Sequence, residues 1–519
     1  MITDIRDLEP GAEIVADIVI IGGGMAGITL AREWAGAEKT VAILESGGLE
    51  MEEATQDLYE GTATLSDGNG VERDIGDYPV TSRARLYGGS SHWWGGKCVP
   101  LDPADFAARP WIRDSGWPVS RDDLQPYYDR ACDLLSIPRF DKDYAEPRHE
   151  GRPPLDINGS VHVASLPRTY TKVTSYADTP HFDEFLYGFT DAANISVYLH
   201  ANAIDCRFSP DGARLEGIGI ATLDGKRYVA RGAVYVLACG GIENARLLMA
   251  ANVLNAARFG ARSDALGRYF QGHTVILKNR DDGRAATRVY FSDPPGPLSL
   301  YVDRGVDEAP HAVLGTTLAG QARYHCGAFT VTMDVTEKGA DAEDRALQTL
   351  AARLDGADTA ARATDRADAD CSCYFMTENM PNPMSRVTLG DEVDALGLPR
   401  IHLHWEYGAA DLEGFERSVD GFARELGAAH AGRVACPIGR DDAVSAMLPS
   451  RHHMGTTRMH ADPATGIVDA DLKCHDAENL YITGSSVFPT SGIANPTLTI
   501  LALTIRLADH LKEKLGAAA

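Results

Sequence analysis

Basic residues are scarce in this chain: 49 Lys and Arg stand against 74 Asp and Glu, a formal net charge of −25 over 519 residues. That deficit disfavours nucleic acid and anionic membrane surfaces as partners, because a polyanion would meet repulsion over most of the molecule. Cysteines are few and scattered. There are nine, with Cys371-Ser372-Cys373 the only close pair, a pattern that reads as reduced thiols in a cytoplasmic protein rather than as a disulfide framework. Neither a Cys-x-x-Cys pair nor a His-Glu-x-x-His helix occurs, and His402-Leu403-His404 lacks nearby acids or cysteines, so no metal site is expected. Long apolar runs are also missing, and the acidic stretch Met1 to Pro10 does not read as a signal peptide, so membrane insertion is not expected. There is no internal repeat. What remains is 44% hydrophobic and 24% charged, ordinary for a soluble protein of two or three domains.

Against these absences, glycine is concentrated in informative places. Asp17 to Ile21 is a short apolar run suited to a strand buried on both faces, and it runs directly into Gly22-Gly23-Gly24-Met25-Ala26-Gly27. A helical pattern follows from Ile28 to Trp34, then a second strand from Thr40 to Leu44 that ends in Glu45. In such a unit Gly22 makes the tight turn, Gly24 admits a pyrophosphate to the backbone, and Gly27 lets helix and strand pack closely. The diphosphate then rests on the helix N-terminus, where unpaired N–H groups favour negative charge. Glu45 can accept hydrogen bonds from adenosine ribose hydroxyls, which argues against a 2′-phosphate.

NAD and FAD both use this device, so the choice rests on the remainder of the chain. Further close-approach segments occur at Arg85-Leu86-Tyr87-Gly88-Gly89-Ser90-Ser91-His92-Trp93-Trp94-Gly95-Gly96, at Leu237-Ala238-Cys239-Gly240-Gly241-Ile242-Glu243-Asn244-Ala245-Arg246, and at Tyr481-Ile482-Thr483-Gly484-Ser485-Ser486. They suit a cofactor lying extended through the domain. An NAD dehydrogenase would need no such additions.

Together with His452-His453-Met454-Gly455-Thr456 and Ala494-Asn495-Pro496-Thr497, these motifs resemble the glucose-methanol-choline (GMC) flavin oxidoreductases over nearly the whole chain. Within that superfamily the closing motifs look most like the pyranose oxidase and C-glycoside oxidase branch. The resemblance implies an α/β fold, with a Rossmann-like FAD-binding domain and a second, α+β substrate domain on a mostly antiparallel sheet. It also implies oxidation of an alcohol, with oxygen, a quinone or a redox protein as electron acceptor. Some relatives with this architecture are FAD-containing lyases without net redox change.

Oxidising a CH–OH group removes a hydroxyl proton and a carbon-bound hydride, so a base must face the oxygen and an electron sink the carbon. Histidine is largely neutral near pH 7 and able to accept the proton. Motif register assigns that role to His452, with Asn495 giving the same oxygen a second hydrogen bond. Side chains alternate in an extended segment, which leaves His453 for the interior or for a substrate contact, as with Trp93. Asn495 also reads as the N-cap of a helix opened by Pro496, with Leu498, Leu501, Ile505 and Leu507 as its apolar stripe. FAD contacts are expected from Gly22, Gly24, Met25, Ala26, Gly27, Glu45, Ser46, Arg85, Gly88, Gly89, Ser90, Ser91, Trp94, Gly95, Gly96, Ala203, Gly240, Gly484, Ser485, Pro496 and Thr497. Relatives that bind flavin covalently do so through a histidine in this region, but the ungapped register places Trp93, not His92, at that position. Non-covalent FAD is therefore expected.

The cofactor motifs assign residues 1–100, 195–275 and 455–519 to the FAD domain, 276–454 to the substrate domain, and 101–194 to a wrapping or lid segment. Val289 to Tyr301 and Thr316 to Val335 read as strands, Ala342 to Asp370 as a surface helix or flap, and Glu378 to Arg386 as a loop feeding a strand from Val387. The substrate is expected to be polyhydroxylated, such as a sugar, glycoside or aminocyclitol, or alternatively a non-sugar primary or aryl alcohol.

Overall fold

The computed structural model describes residues 1–140, 160, 162–167, 169–175, 180–255, 258–276, 287–291, 312–336, 370–430, 432–439, 444 and 446–516. The N-terminal unit forms as its pattern dictates. Strand β1 (Glu13–Ile21) carries Ile18 to Ile21 fully into the core, helix α1 (Met25–Trp34) starts at Met25, and strand β2 (Val41–Leu44) lies parallel to β1. Strand β3 (Arg227–Leu237) flanks β1 on its other side, also in parallel, and leads into helix α2 (Gly240–Asn255).

The eight-stranded first sheet is completed by Ile195–Leu199 and Ile2–Asp4 beyond β2, by Leu480–Ile482 parallel to β3, and by the antiparallel strands Leu215–Ala221 and Asn202–Phe208. Helix α3 (Thr497–Leu515) covers it, with Leu498, Leu501, Ile505 and Leu507 buried as their spacing predicts. The start of this helix corrects the sequence reading. Pro496 occupies the N-cap position and Asn495 lies before it, without a side-chain cap bond, so the Asn495 amide is committed elsewhere.

Among the described residues the second sheet also has eight strands. Strand β4 (His273–Ile276) pairs with strand β5 (Asp370–Glu378) and with Met447–Pro449, and Thr287–Phe291, Phe329–Thr336, Ala312–Thr316, Val163–Pro167 and Gly432–Ala435 complete it, all antiparallel. A third, four-stranded sheet joins Arg386–Val393 and Pro399–Glu406 to Gly61–Ser66 and Glu72–Asp74. Strands thus cross the boundaries read from the motifs: residues 61–74 and 273–275, given to the FAD domain, and 163–167, given to the wrapping segment, all build sheets with the 276–454 block. Long-range pairing of this kind leaves no local trace, because each strand is satisfied only by a distant partner.

Two smaller readings are also corrected. The stretch from Thr316 to Val335 is interrupted by the helix Leu318–Tyr324, which Thr317 caps through the Gly320 amide, and the strand placed at Val387 begins at Arg386. Most of Ala342 to Asp370, and Val289 to Tyr301 beyond Phe291, lie outside the described residues. His402 and His404 point from one strand face towards Thr62 and Thr64, whose hydroxyls they meet at 2.7 and 3.2 Å. Residues 102–137 wrap the first domain. Trp117 is buried against Phe106 and Phe488 and donates to Thr490 Oγ1 at 2.8 Å, while Arg109 reaches Glu378 at the end of β5 through a fully buried ion pair of 2.5 Å. Among the described residues no helix is long and apolar enough to cross a membrane.

Candidate active site

A cavity of about 620 Å³ opens where α1, α2 and α3 all begin, lined near their first turns by Met25, Gly240 and Thr497. Helix starts carry N–H groups without intrahelical acceptors, so this convergence makes the cavity attractive to a polyanion. The glycines shape it in two ways. Gly22 has φ +106° and a Cβ there would lie 2.7 Å from the Ala238 carbonyl oxygen, while a Cβ on Gly27 would lie 2.0 Å from the Gly22 oxygen. These two hold the turn and the helix together. Gly24, Gly240 and Gly484 instead have nothing within 4 Å of a Cβ, so their backbones are bare towards the cavity. That combination fits an extended dinucleotide.

Glu45 also lines the cavity. It is buried, accepts from Gly23 N at 2.8 Å and from Gly47 N at 2.7 Å, and so braces the glycine turn. Burial pushes its carboxyl above the ordinary value, opposed by those two amides and by Arg85.

Arg85 lines the cavity, but its guanidinium is turned into a buried network. It meets Glu243 at 3.0 Å and Asn202 at 3.2 Å, and it stacks over the Tyr59 ring at 4.3 Å. Arg83 and Arg246 converge on the same Glu243 carboxylate at 2.8 and 3.3 Å, and Arg246 also holds Asp394 at 2.8 Å. One acid at the first turn of α2 thus gathers arginines from two elements behind the cavity wall. The glycine-rich close approach at Gly240 was legible in the sequence, whereas no spacing could have named Arg83 as a partner of Glu243, or Asp394 as a partner of Arg246.

His452, Asn495, Trp93 and Trp94 line the cavity too. His452 Nε2 lies 3.3 Å from Asn495 Nδ2, and His452 Nδ1 lies 2.8 Å from Nδ1 of His273. The two residues read as base and partner, 43 positions apart in the chain, are brought together as expected.

His453 also borders the cavity, but its ring sits among Tyr78 and Phe270, at 5.6 and 5.7 Å between centroids. Tyr78 donates its hydroxyl proton to the Ser450 carbonyl, so the 3.0 Å contact with His453 Nε2 is a donation from the imidazole to the phenol oxygen. Burial, then Arg83, push the His453 imidazole down to about 3. This corrects the assignment of His453 to substrate: its Nε2–H is committed to Tyr78 in the interior.

Two more placements differ from expectation, and a third agrees with it. Gly27 and Gly96 do not line the cavity; Gly96, with φ +69°, accepts from Thr171 N at 2.8 Å and shapes the chain beneath the tryptophans. His92 lies outside it too, with Nε2 against the Tyr87 carbonyl at 2.9 Å and its ring on Phe182 at 5.0 Å. The remaining positions read as FAD contacts, including Ser46, Gly88, Gly89, Ser90, Ser91, Gly95, Ala203, Ser485 and Pro496, all border the cavity.

A parallel-sheet domain with a dinucleotide cradle, joined to an antiparallel domain at a histidine-asparagine pair, defines a flavin-dependent alcohol oxidoreductase. The comparisons with known proteins agree. The sequence profile described as GMC oxidoreductase matches residues 381–504. The chain is 26% identical to the 6'''-hydroxyparomomycin C oxidase of Streptomyces lividus over 97% of its own length and 93% of that protein. It is 32% identical to the C-glycoside 3-oxidase of Microbacterium trichothecenolyticum, over 25% of each chain. The solved structure of pyridoxine 4-oxidase from Mesorbium loti superposes with a TM-score of 0.58, at 19% identity, covering 96% of this chain and 99% of that one. Residues 381–504 thus carry the GMC oxidoreductase profile, and the similarities together support an FAD-dependent enzyme acting on CH–OH donors. The likeness to C-glycoside 3-oxidase read from the closing motifs is present over a quarter of the chain, while the likeness to the hydroxyparomomycin oxidase runs almost end to end.

Proposed function

We propose that this enzyme oxidises a hydroxyl group of a polyhydroxylated substrate, such as a sugar, glycoside or aminocyclitol, with His452 as general base and Asn495 as its hydrogen-bonding partner. The observation that carries this reading is the 3.3 Å pairing of His452 Nε2 with Asn495 Nδ2 at the cavity wall. An acceptor and a donor side by side are what an alcohol needs: its proton can pass to Nε2 while the amide N–H holds its oxygen. Gly22, Gly24, Met25, Ala26, Glu45, Ser46, residues 88–91 and the starts of α2 and α3 would hold FAD, which would supply the two-electron sink for the carbon-bound hydride. Trp93 and Trp94 also line the cavity and offer flat apolar surface suited to the C–H face of a ring substrate. Support for the substrate class comes from the near full-length similarity to a hydroxyparomomycin C oxidase. Oxygen, a quinone or a redox protein would take the electrons onward, and the scattered cysteines favour a cytoplasmic setting.

The test is the visible spectrum of the purified protein before and after anaerobic addition of sugars, glycosides, aminocyclitols and aryl alcohols. Bleaching by the polyhydroxylated compounds is expected; bleaching by simple aryl or primary alcohols alone would overturn the substrate class. We also infer that FAD is bound non-covalently, on the ground that His92 packs against Tyr87 and Phe182 away from the cavity. Acid precipitation is expected to leave a colourless pellet and a yellow supernatant. A yellow pellet would contradict this.

A further inference from the structure

The proposed base has a second partner that no motif announces. His273, the first residue of β4, is fully buried, and its Nδ1 lies 2.8 Å from Nδ1 of His452 with the rings edge to face at 79°. Its backbone is pinned on both sides: His273 N donates to Ser450 Oγ at 2.8 Å, and Gly272 N donates to Asn379 Oδ1 at 3.1 Å. Gly272 lies so close to Trp405 that a Cβ would come within 2.6 Å of the indole. The imidazole is therefore delivered to His452 by a section of sheet that has little freedom to move.

We propose that His273 is a positioning residue that holds His452 in the tautomer required of a base; this rests on the reading of His452 given above. The argument is proton accounting. Two ring nitrogens 2.8 Å apart need one proton between them, since two lone pairs repel and two N–H groups clash. Asn495 presents its amide nitrogen, a donor, to His452 Nε2, so Nε2 carries the lone pair. Neutral His452 then holds its proton on Nδ1 and donates it to His273 Nδ1, which makes His273 the Nε2–H tautomer. When Nε2 receives the substrate hydroxyl proton, His452 becomes a cation, and its bond to His273 becomes charge-assisted while His273 stays neutral. Both ends of the imidazole are thereby used: one faces the reacting oxygen and the other is fixed by an acceptor behind it. Such outer partners fix ring orientation and basicity in other imidazole sites, and their loss typically costs about 10- to 100-fold.

The experiment compares His273→Leu, which removes the acceptor, with His273→Asn, whose side-chain oxygen falls near the position of Nδ1. Anaerobic stopped-flow flavin reduction in FAD-replete protein is expected to fall about 10- to 100-fold in His273→Leu, with the substrate concentration for half-maximal rate little changed. Within about threefold of the parent is expected for His273→Asn. A second readout does not depend on turnover. In ¹⁵N-histidine-labelled holoenzyme, the His452 ring, assigned by its loss in His452→Gln, is expected to show a protonated Nδ1 and an unprotonated Nε2. In His273→Leu that pattern should change to the Nε2–H form or a mixture, and in His273→Asn it should persist. An unchanged tautomer in His273→Leu, or a His273→Asn enzyme as slow as His273→Leu despite the parental tautomer, would overturn the proposal. If His452→Ala reduced its flavin normally, the base assignment would fail instead, while the ring spectra would still report on the histidine pair.

Discussion

His452→Ala is expected to reduce its flavin about two to four orders of magnitude more slowly than the parent, the usual scale for losing a general base. The effect should fall on the reductive step alone. The side chain meets Asn495 and His273, while the glycine turn is braced by Glu45, so FAD content and the oxidised spectrum should remain those of the parent. Rapid mixing with a substrate that bleaches the parent measures the rate directly. Near-normal reduction would remove His452 from the mechanism. His453 offers no fallback, because its Nε2–H is donated to Tyr78 and the imidazole is held near 3, too weak a base at neutral pH.

The second large effect is on stability. Glu243→Ala should cost about 3–5 kcal/mol, because removing one partner leaves the facing cations buried and uncompensated. Three guanidinium groups meet this carboxylate, from Arg83, Arg85 and Arg246, all with side chains less than 10% exposed. The measurement is the denaturant midpoint of FAD-replete protein, with flavin release as a second signal, since Arg85 and Glu243 both border the cavity. An unchanged midpoint would mean that the network contributes nothing net.

The network also carries a pH dependence. Burial alone would raise the Glu243 carboxyl, but Arg246, Arg83 and Arg85 outweigh it and hold the group down at about 2, against 4.5 for the free side chain. A carboxyl depressed on folding contributes stability that is complete above about pH 4.5 and lost as pH falls towards 2. The gap between parent and Glu243→Ala should therefore narrow across that acid window.

Much of the cofactor cradle was legible because its instructions are local. Gly22 and Gly27 obey steric rules set by their immediate neighbours, and the strand, turn and helix around them follow from a run of adjacent residues. The apolar stripe of α3 was readable for the same reason. The exact helix start was not, since the amide that reads as a cap at Asn495 has a better use against His452. Residues 316–335 misled because Leu318–Tyr324 is a short helix whose apolar content is no different from that of the strands around it. Asn495 could be paired with His452 only through resemblance to a family, and His273 not at all.

By itself, the sequence determined that a dinucleotide cradle opens this chain and that a histidine and an asparagine near its end are candidates for alcohol chemistry. Only the tertiary structure decided that His453 is committed to Tyr78, that Glu243 gathers three arginines, and that His273 stands behind His452. The reason is physical: turn and helix preferences act over a few residues, whereas a hydrogen bond between positions 273 and 452 exists only once two distant strands have paired.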